Sequence, residues 1–245
     1  PIHCQPTGMI MVYKWVNNTL NRLLPPRCLC CQQAGQQLCP DCEAELPKLG
    51  TRCQHCALPL PQSDRLCRHC LRRPPRFTRC LSAFSYRPPV DQLLLSYKHA
   101  GHMANGRVLA QLWMSCCGDD VRREPPDALI PIPLHWRRRW QRRFNQSRLL
   151  AEQWGDAFGL VVTDALQRRV HTAAQQGLTA AERRRNLRRA FVLSPRANVT
   201  GKHLALVDDV LTTGATANAA AVILLDAGAR RVDIWCLART PEPGQ

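Results

Sequence analysis

The chain has 245 residues, enough for one large domain or two modest ones, and its apolar fraction of 45% is sufficient to bury a core. A formal net charge of +16, carried mainly by arginine, which suits phosphate contacts, makes nucleic acid or another polyanion a reasonable partner, although charge alone does not separate a DNA binder from a merely basic protein. No apolar run reaches the roughly 18 residues that a membrane span requires.

Residues 1–27 are expected to be an N-terminal segment, partly disordered or lying outside the true start, because the chain begins at Pro1 while Met9 and Met11 follow. They lack the basic stretch followed by an apolar core that marks a secretory signal. A cytoplasmic protein is therefore expected.

Ten of the fourteen cysteines fall between Cys28 and Cys80. Four CxxC pairs stand among them: Cys28/Cys31, Cys39/Cys42, Cys53/Cys56 and Cys67/Cys70. One CxxC turn aims two thiolates at one centre, and two such turns complete a tetrahedral zinc site. A disulfide framework would need an oxidising compartment, and nothing directs this chain to one. Two structural zinc ions are expected. Pairing neighbouring couples is the simpler arrangement, although spacing alone also permits interleaving. His55 and His69 sit inside CxxC turns and are read as solvent-facing rather than ligating. Cys30 is read as spare, and Cys80, Cys116, Cys117 and Cys236 as buried thiols. Residues 28–73 thus form a small double zinc module whose folding free energy comes mostly from metal. Pro74 and Pro75 then make a stiff linker.

From Phe77 on, strand and helix patterns alternate. Cys80–Tyr86 reads as a strand, Pro89–Ala100 and Asn105–Cys117 as helices, and Asp127–Leu134 as a strand. Asn145–Phe158 reads as an amphipathic helix and Leu160–Val170 as strand-like. His203–Asp209 reads as a buried strand ended by its acids, Ala215–Gly228 as a helix closed by Gly228, and Ala229–Arg239 as a last strand. The expected fold is α/β, with a parallel sheet flanked by helices over residues 77–240, preceded by the cysteine-rich module. Ligands of such sheets bind at the carboxyl ends of the strands.

The stretch His203–Gly228, HLALVDDVLTTGATANAAAVILLDAG, delivers Asp208 and Asp209 to that edge. Thr212, Thr213, Gly214, Ala215 and Thr216 follow and lead into a helix N-terminus, whose free N–H groups and dipole favour a phosphate. The two carboxylates would repel that phosphate, so they must face ribose hydroxyls, Mg²⁺ or both. No Walker lysine and no GxGxxG is present. A plain N-capped helix would need one threonine or aspartate, not this set.

Two clusters concentrate the positive charge. WRRRWQRRFNQSR carries Arg137, Arg138, Arg139, Arg142 and Arg143 interleaved with Trp136, Trp140 and Phe144, and ERRRNLRR carries Arg183 and Asn186. Aromatic faces beside guanidinium groups suit single-stranded DNA, and the same groups suit a pyrophosphate.

LALVDDVLTTGAT resembles the motif by which type I phosphoribosyltransferases bind 5-phosphoribosyl 1-pyrophosphate (PRPP). The resemblance implies that Asp208 and Asp209 hold the ribose hydroxyls, Thr212–Thr216 the 5′-phosphate, and that Mg²⁺ accompanies PRPP. Pro131–Ala151 is similar to the pyrophosphate-side loop of the ComF family, and Thr172–Phe191 to its mobile loop. By that similarity Asn145 and Gln146, with the arginines above and Asn186, would contact pyrophosphate or DNA. Arg143 stands where the family has glycine. The ending VDIWCLART is similar to the GntX branch, which is linked to DNA utilisation. The ComF/GntX resemblance implies a PRPP-binding, phosphoribosyltransferase-like protein acting in uptake or use of external DNA, with single-stranded DNA and other DNA-uptake proteins as partners. Two other functions stay open: a transferase of nucleotide salvage, and a non-catalytic DNA-binding adaptor with PRPP as regulator.

Overall fold

The structure, a computed structural model, describes residues 25–62, 66–99, 102–134, 144–168 and 190–242. The chain divides into two compact units between Leu46 and Pro47.

The first unit holds a hairpin-like knuckle and a short helix. The knuckle carries a bridge between Arg27 and Ala34. Cys28 N–H donates to the Gln33 carbonyl at 2.8 Å, and Gln32 takes a positive φ of 63° to close the turn. Helix α1, Pro40–Ala44, starts from Cys39 with a proline in its first turn. The second unit opens with the same device: Arg52 bridges Pro59, Cys53 N–H donates to Leu58, Ala57 has φ 55°, and helix α2, Arg68–Arg72, starts from Cys67. The cysteine module is thus one structural motif used twice.

After these come β1 (Cys80–Ser85), α3 (Val90–His99), α4 (Met103–Arg123), β2 (Ala128–Pro131), α5 (Gln146–Phe158), β3 (Val161–Val162), β4 (Leu166–Arg168), β5 (Phe191–Leu193), β6 (His203–Leu211), α6 (Ala215–Asp226) and β7 (Arg231–Arg239). The main sheet has five strands in the order β1-β7-β6-β2-β3, with every pair parallel. The expected α/β fold with a parallel sheet is therefore observed. Trp113 of α4, Trp154 of α5 and Trp235 of β7 pack together, the first two stacked at 4.1 Å between ring centroids. A second apolar cluster joins α6 and alternate residues of the central strands, such as Leu204, Leu206, Val232 and Ile234, to the cysteines of the second knuckle.

Local boundaries differ from the sequence expectation in instructive ways. Helix α4 runs a turn and a half past Cys117, where exposed Asp119–Arg122 and Asp120–Arg123 pairs at i,i+3 support it. Cys116 lies on its outer face and is exposed, while Cys117 is buried, because adjacent helical residues point about 100° apart. Leu160–Val170 is not one strand over its described part. Its start makes β3 at the edge of the main sheet, and Leu166–Arg168 pairs antiparallel with β5 in a separate ribbon. Asp164 turns the chain between them, held by Arg148 at 2.7 Å.

Candidate functional site

The chain leaves β2 through α5 toward β3 on one side and leaves β6 through α6 toward β7 on the other. The sheet order therefore reverses between β2 and β6, and a crevice opens there at the carboxyl ends. Register places the acids in it. Strand β2 pairs with β6 only as far as Pro131↔Val207. On its other side β6 stays paired with β7 through Asp208↔Cys236 to Leu211↔Arg239. The acids consequently do not end the strand. They occupy its last part, where one flank has lost its neighbour.

Asp208 Oδ1 accepts from its neighbour's N–H at 2.9 Å and from the Ser147 hydroxyl of α5 at 3.1 Å. Burial, with the charge of Asp209 next to it, pushes the Asp208 carboxyl up to about 7. Asp209 instead pairs with Lys98 at 2.9 Å, both side chains being about 85% buried (15% and 13% exposed). The two acids thus sit in different electrostatic states: one carries a cation, the other tends to hold a proton. Tyr97, beside Lys98, is buried and held neutral by its burial and by Asp209.

The loop beyond the acids is short. Thr212 and Thr213 are exposed, and Gly214 takes φ 75°, which glycine adopts without steric cost. Thr213 Oγ1 accepts from the Ala215 N–H at 3.3 Å, and Gly214 is the N-cap of α6. Ala215 and Thr216 are half-buried in its first turn. Thr212 to Thr216 therefore surround a helix N-terminus of twelve residues, open to solvent and close in sequence to the carboxylates.

Asn145 and Gln146 are already engaged. Asn145 caps α5 by accepting from the Ser147 N–H at 3.1 Å, and its amide donates to the Ile132 carbonyl at 3.2 Å. Gln146, buried, donates to the Lys98 carbonyl at 3.4 Å. They join α5 to the ends of α3 and β2 and so hold Lys98 and Ser147 beside the acids. Arg137, Arg138, Arg139, Arg142, Arg143, Arg183 and Asn186 lie outside the described residues.

Lys98 and Ser147 were not legible from the motif. A hint existed for Lys98: the chain has only four lysines, and this one follows an apolar helical run.

The eight cysteines form two separate groups, Cys28, Cys31, Cys39 and Cys42 in one, Cys53, Cys56, Cys67 and Cys70 in the other, with all sulfurs of a group within 4.8 Å. Pairing is thus sequential, not interleaved. Tetrahedral zinc with Zn–S bonds of about 2.3 Å requires sulfurs roughly 3.8 Å apart. Cys31–Cys39 and Cys56–Cys67 are each separated by 3.7 Å, so the groups fit that ion. Backbone N–H groups point at Cys28 and Cys53 from Cys39 (3.5 Å) and Cys67 (3.3 Å). Burial acts against ionising these thiols, but such N–H groups outweigh it and bring Cys28 down to about 6 and Cys53 to about 7. His55 is no ligand and does not face solvent as expected: its Nε2–H donates to the Phe77 carbonyl, and its ring meets the Phe77 ring edge-on.

At the opposite, amino-terminal edge of the sheet, Asp233 is almost fully buried and pairs with Arg79 and Arg231 at 2.9 Å and with His203 at 3.0 Å. Burial would raise its carboxyl, yet the His203 and Arg231 bonds hold it below its usual range. This network fastens β1, β6 and β7 together.

The fold and the cysteine groups define a parallel α/β domain with a crevice at its carboxyl edge, preceded in sequence by two four-cysteine zinc knuckles. Residues 19–71 match the double zinc ribbon domain family and residues 146–244 the phosphoribosyl transferase domain family. Competence protein F of Haemophilus influenzae is 37% identical over 161 residues, covering 63% of this chain and 69% of its own. DNA utilization protein YhgH of Escherichia coli O157:H7 is 36% identical over 173 residues, covering 66% of this chain and 72% of its own. The chain belongs to the family of competence protein F and DNA utilization protein YhgH. Among solved structures, the glutamine PRPP amidotransferase of B. subtilis aligns over 54% of this chain and 24% of its own, at 21% identity and a TM-score of 0.36.

Among the described residues no helix is long and apolar enough to cross a membrane.

Proposed function

We propose that the protein binds PRPP with Mg²⁺ in the crevice between β2 and β6 and acts, on the cytoplasmic side, in the uptake or use of external DNA. The observation that carries the PRPP reading is the juxtaposition of Asp208 and Asp209 with the solvent-open N-terminus of α6 across the Gly214 turn. Ribose hydroxyls would lie on the carboxylates, and the 5′-phosphate would take the free N–H groups and hydroxyls of Thr212–Thr216. The same carboxylates offer the oxygen ligands that Mg²⁺ prefers. Lys98 sets its ammonium against Asp209 at 2.9 Å, beside the place the ligand would take. The DNA part rests on the names of the relatives and on the excess of positive charge, with Arg137, Arg138, Arg139, Arg142, Arg143 and Arg183 as its contacts to DNA or pyrophosphate.

Calorimetric titration of PRPP with Mg²⁺ tests the first part. Replacing both Asp208 and Asp209 with Asn should weaken binding at least tenfold, about the effect of one lost charged hydrogen bond. Equal affinity of variant and wild type would place the ligand elsewhere. For the DNA part, binding of single strands should weaken steeply with salt, with a slope of about −0.7 per phosphate contact. Changing Arg137, Arg138 and Arg139 to Ala should flatten that slope by about 2 units, and an unchanged slope would remove these residues from the DNA site.

A further inference from the structure

Arg239 closes strand β7 and is 8% exposed, yet no carboxylate pairs with it among the described residues. Its guanidinium is surrounded by backbone carbonyls instead. Nε donates to the Cys56 carbonyl at 2.9 Å. Nη1 donates to Leu211 at 3.0 Å, to Thr240 at 2.7 Å and to Thr212. Cys56 is one of the four sulfur donors of the second cysteine group, and Thr212 begins the phosphate loop. One rigid fork thus joins a zinc knuckle to that loop.

Three other contacts follow the same line. His55, inside the second knuckle, donates to the Phe77 carbonyl. Phe77 is 2% exposed and lies beneath the loop, such that a Cβ added to Gly214 would meet its Cε1 at 3.9 Å. Arg76 N–H donates to Asn218 Oδ1 in the first turn of α6 at 2.6 Å. The sulfurs of the second group also share one apolar cluster with Leu211, Ala217 and Ala221.

The direction of the Arg239 bonds has a consequence. In a trans peptide the carbonyl and the following N–H point opposite ways. With the Leu211 and Thr212 carbonyls drawn to Arg239, the N–H groups of Thr212 and Thr213 therefore point the opposite way, away from its guanidinium.

We propose that Arg239 is a positioning residue through which the metal-bound second knuckle shapes the phosphate loop. PRPP affinity then depends on metal at Cys53, Cys56, Cys67 and Cys70, and not on metal at Cys28, Cys31, Cys39 and Cys42. This rests on reading the loop as the PRPP site. The loop's geometry is a separate observable, so the two claims can be tested apart.

The test uses the full chain and three variants. Arg239→Lys keeps the charge, but a single ammonium cannot reach both the Cys56 carbonyl and the loop carbonyls. Cys53→Ser and Cys28→Ser each remove a ligand from one group. Zinc content, hydrogen exchange of the segment 209–217 and PRPP titration with Mg²⁺ are measured on all. Arg239→Lys should retain both zinc ions, exchange its loop amides about tenfold faster and bind PRPP about tenfold more weakly, the effect of one charged hydrogen bond. Exchange around Trp113, Trp154 and Trp235 should not change. Cys53→Ser should reproduce the loop effect, and Cys28→Ser should leave it at the wild-type rate. Wild-type loop exchange in Arg239→Lys, acceleration spread evenly over the core, or equal loop effects of the two cysteine variants would each overturn the proposal. If Cys53→Ser does not fold, the Arg239→Lys comparison still decides. If wild type binds no PRPP, the site reading fails, and loop exchange alone decides the role of Arg239.

Discussion

Asp208→Asn should stabilise the folded chain while weakening its site. Burial, with Asp209 alongside, raises the Asp208 carboxyl from an ordinary 3.8 to about 7. Between those values the folded state keeps a proton that the unfolded chain has released. A raised folded value means that this contribution to stability is complete below about pH 4 and is lost as pH climbs through about 7. The loss runs at about 1.4 kcal/mol per pH unit for one proton. From pH 5.5 to 7.5 it sums to about 2 kcal/mol, since the slope flattens once Asp208 ionises in the folded state. Asparagine removes the charge and keeps an oxygen where Asp208 Oδ1 accepts from the Asp209 N–H and the Ser147 hydroxyl. Urea unfolding of both proteins at the two pH values reads the difference, because the titrating groups away from this site are common to them and cancel. The variant should be the more stable at pH 7.5, with its advantage about 2 kcal/mol smaller at pH 5.5. Parallel stability profiles would show that Asp208 carries no such proton. The same substitution should weaken PRPP, so the gain in stability marks what the site costs the fold.

Other predictions concern the remaining parts. Elemental analysis of protein purified without chelator should find two zinc ions per chain, one for each four-cysteine group; disulfides among those cysteines would defeat the assignment. Lys98→Met should destabilise by about 2 kcal/mol at pH 8, between the values for exposed and fully buried pairs, and by less at pH 5.5, where Asp208 holds a proton and the site carries less negative charge. A loss that is the same at both pH values would separate Lys98 from the acids. Gly214→Ala should fold normally, because its Cβ would meet only Leu211 and Phe77 at 3.9 Å. The φ of 75° should still cost about 1–2 kcal/mol and weaken PRPP about tenfold, whereas wild-type affinity in calorimetry would mean that the turn is not part of the site.

Much of this molecule is local in sequence. Four CxxC turns specify zinc because two residues between cysteines are enough to converge their thiolates, whatever surrounds them. Alternating apolar runs specify strands and helices in α/β order, and Asp208 to Thr216 form a contiguous motif whose chemistry is readable in one line. What tertiary structure decided is everything that depends on which chain segments become neighbours. Register ended β2 at Pro131, opposite Val207, but let β7 continue, so the acids became the open flank of a strand and not its terminus. Residues about 60 and 110 positions upstream, Ser147 and Lys98, were brought to the two acids and gave chemically identical side chains different partners, a hydroxyl for Asp208 and an ammonium for Asp209. Arg239, which reads as the polar end of an apolar strand, gained its role only when folding placed Cys56 and Thr212 on either side of it. Such contacts leave no period or spacing in the sequence, because their partners are set by the packing of the whole sheet and not by the residues next to them.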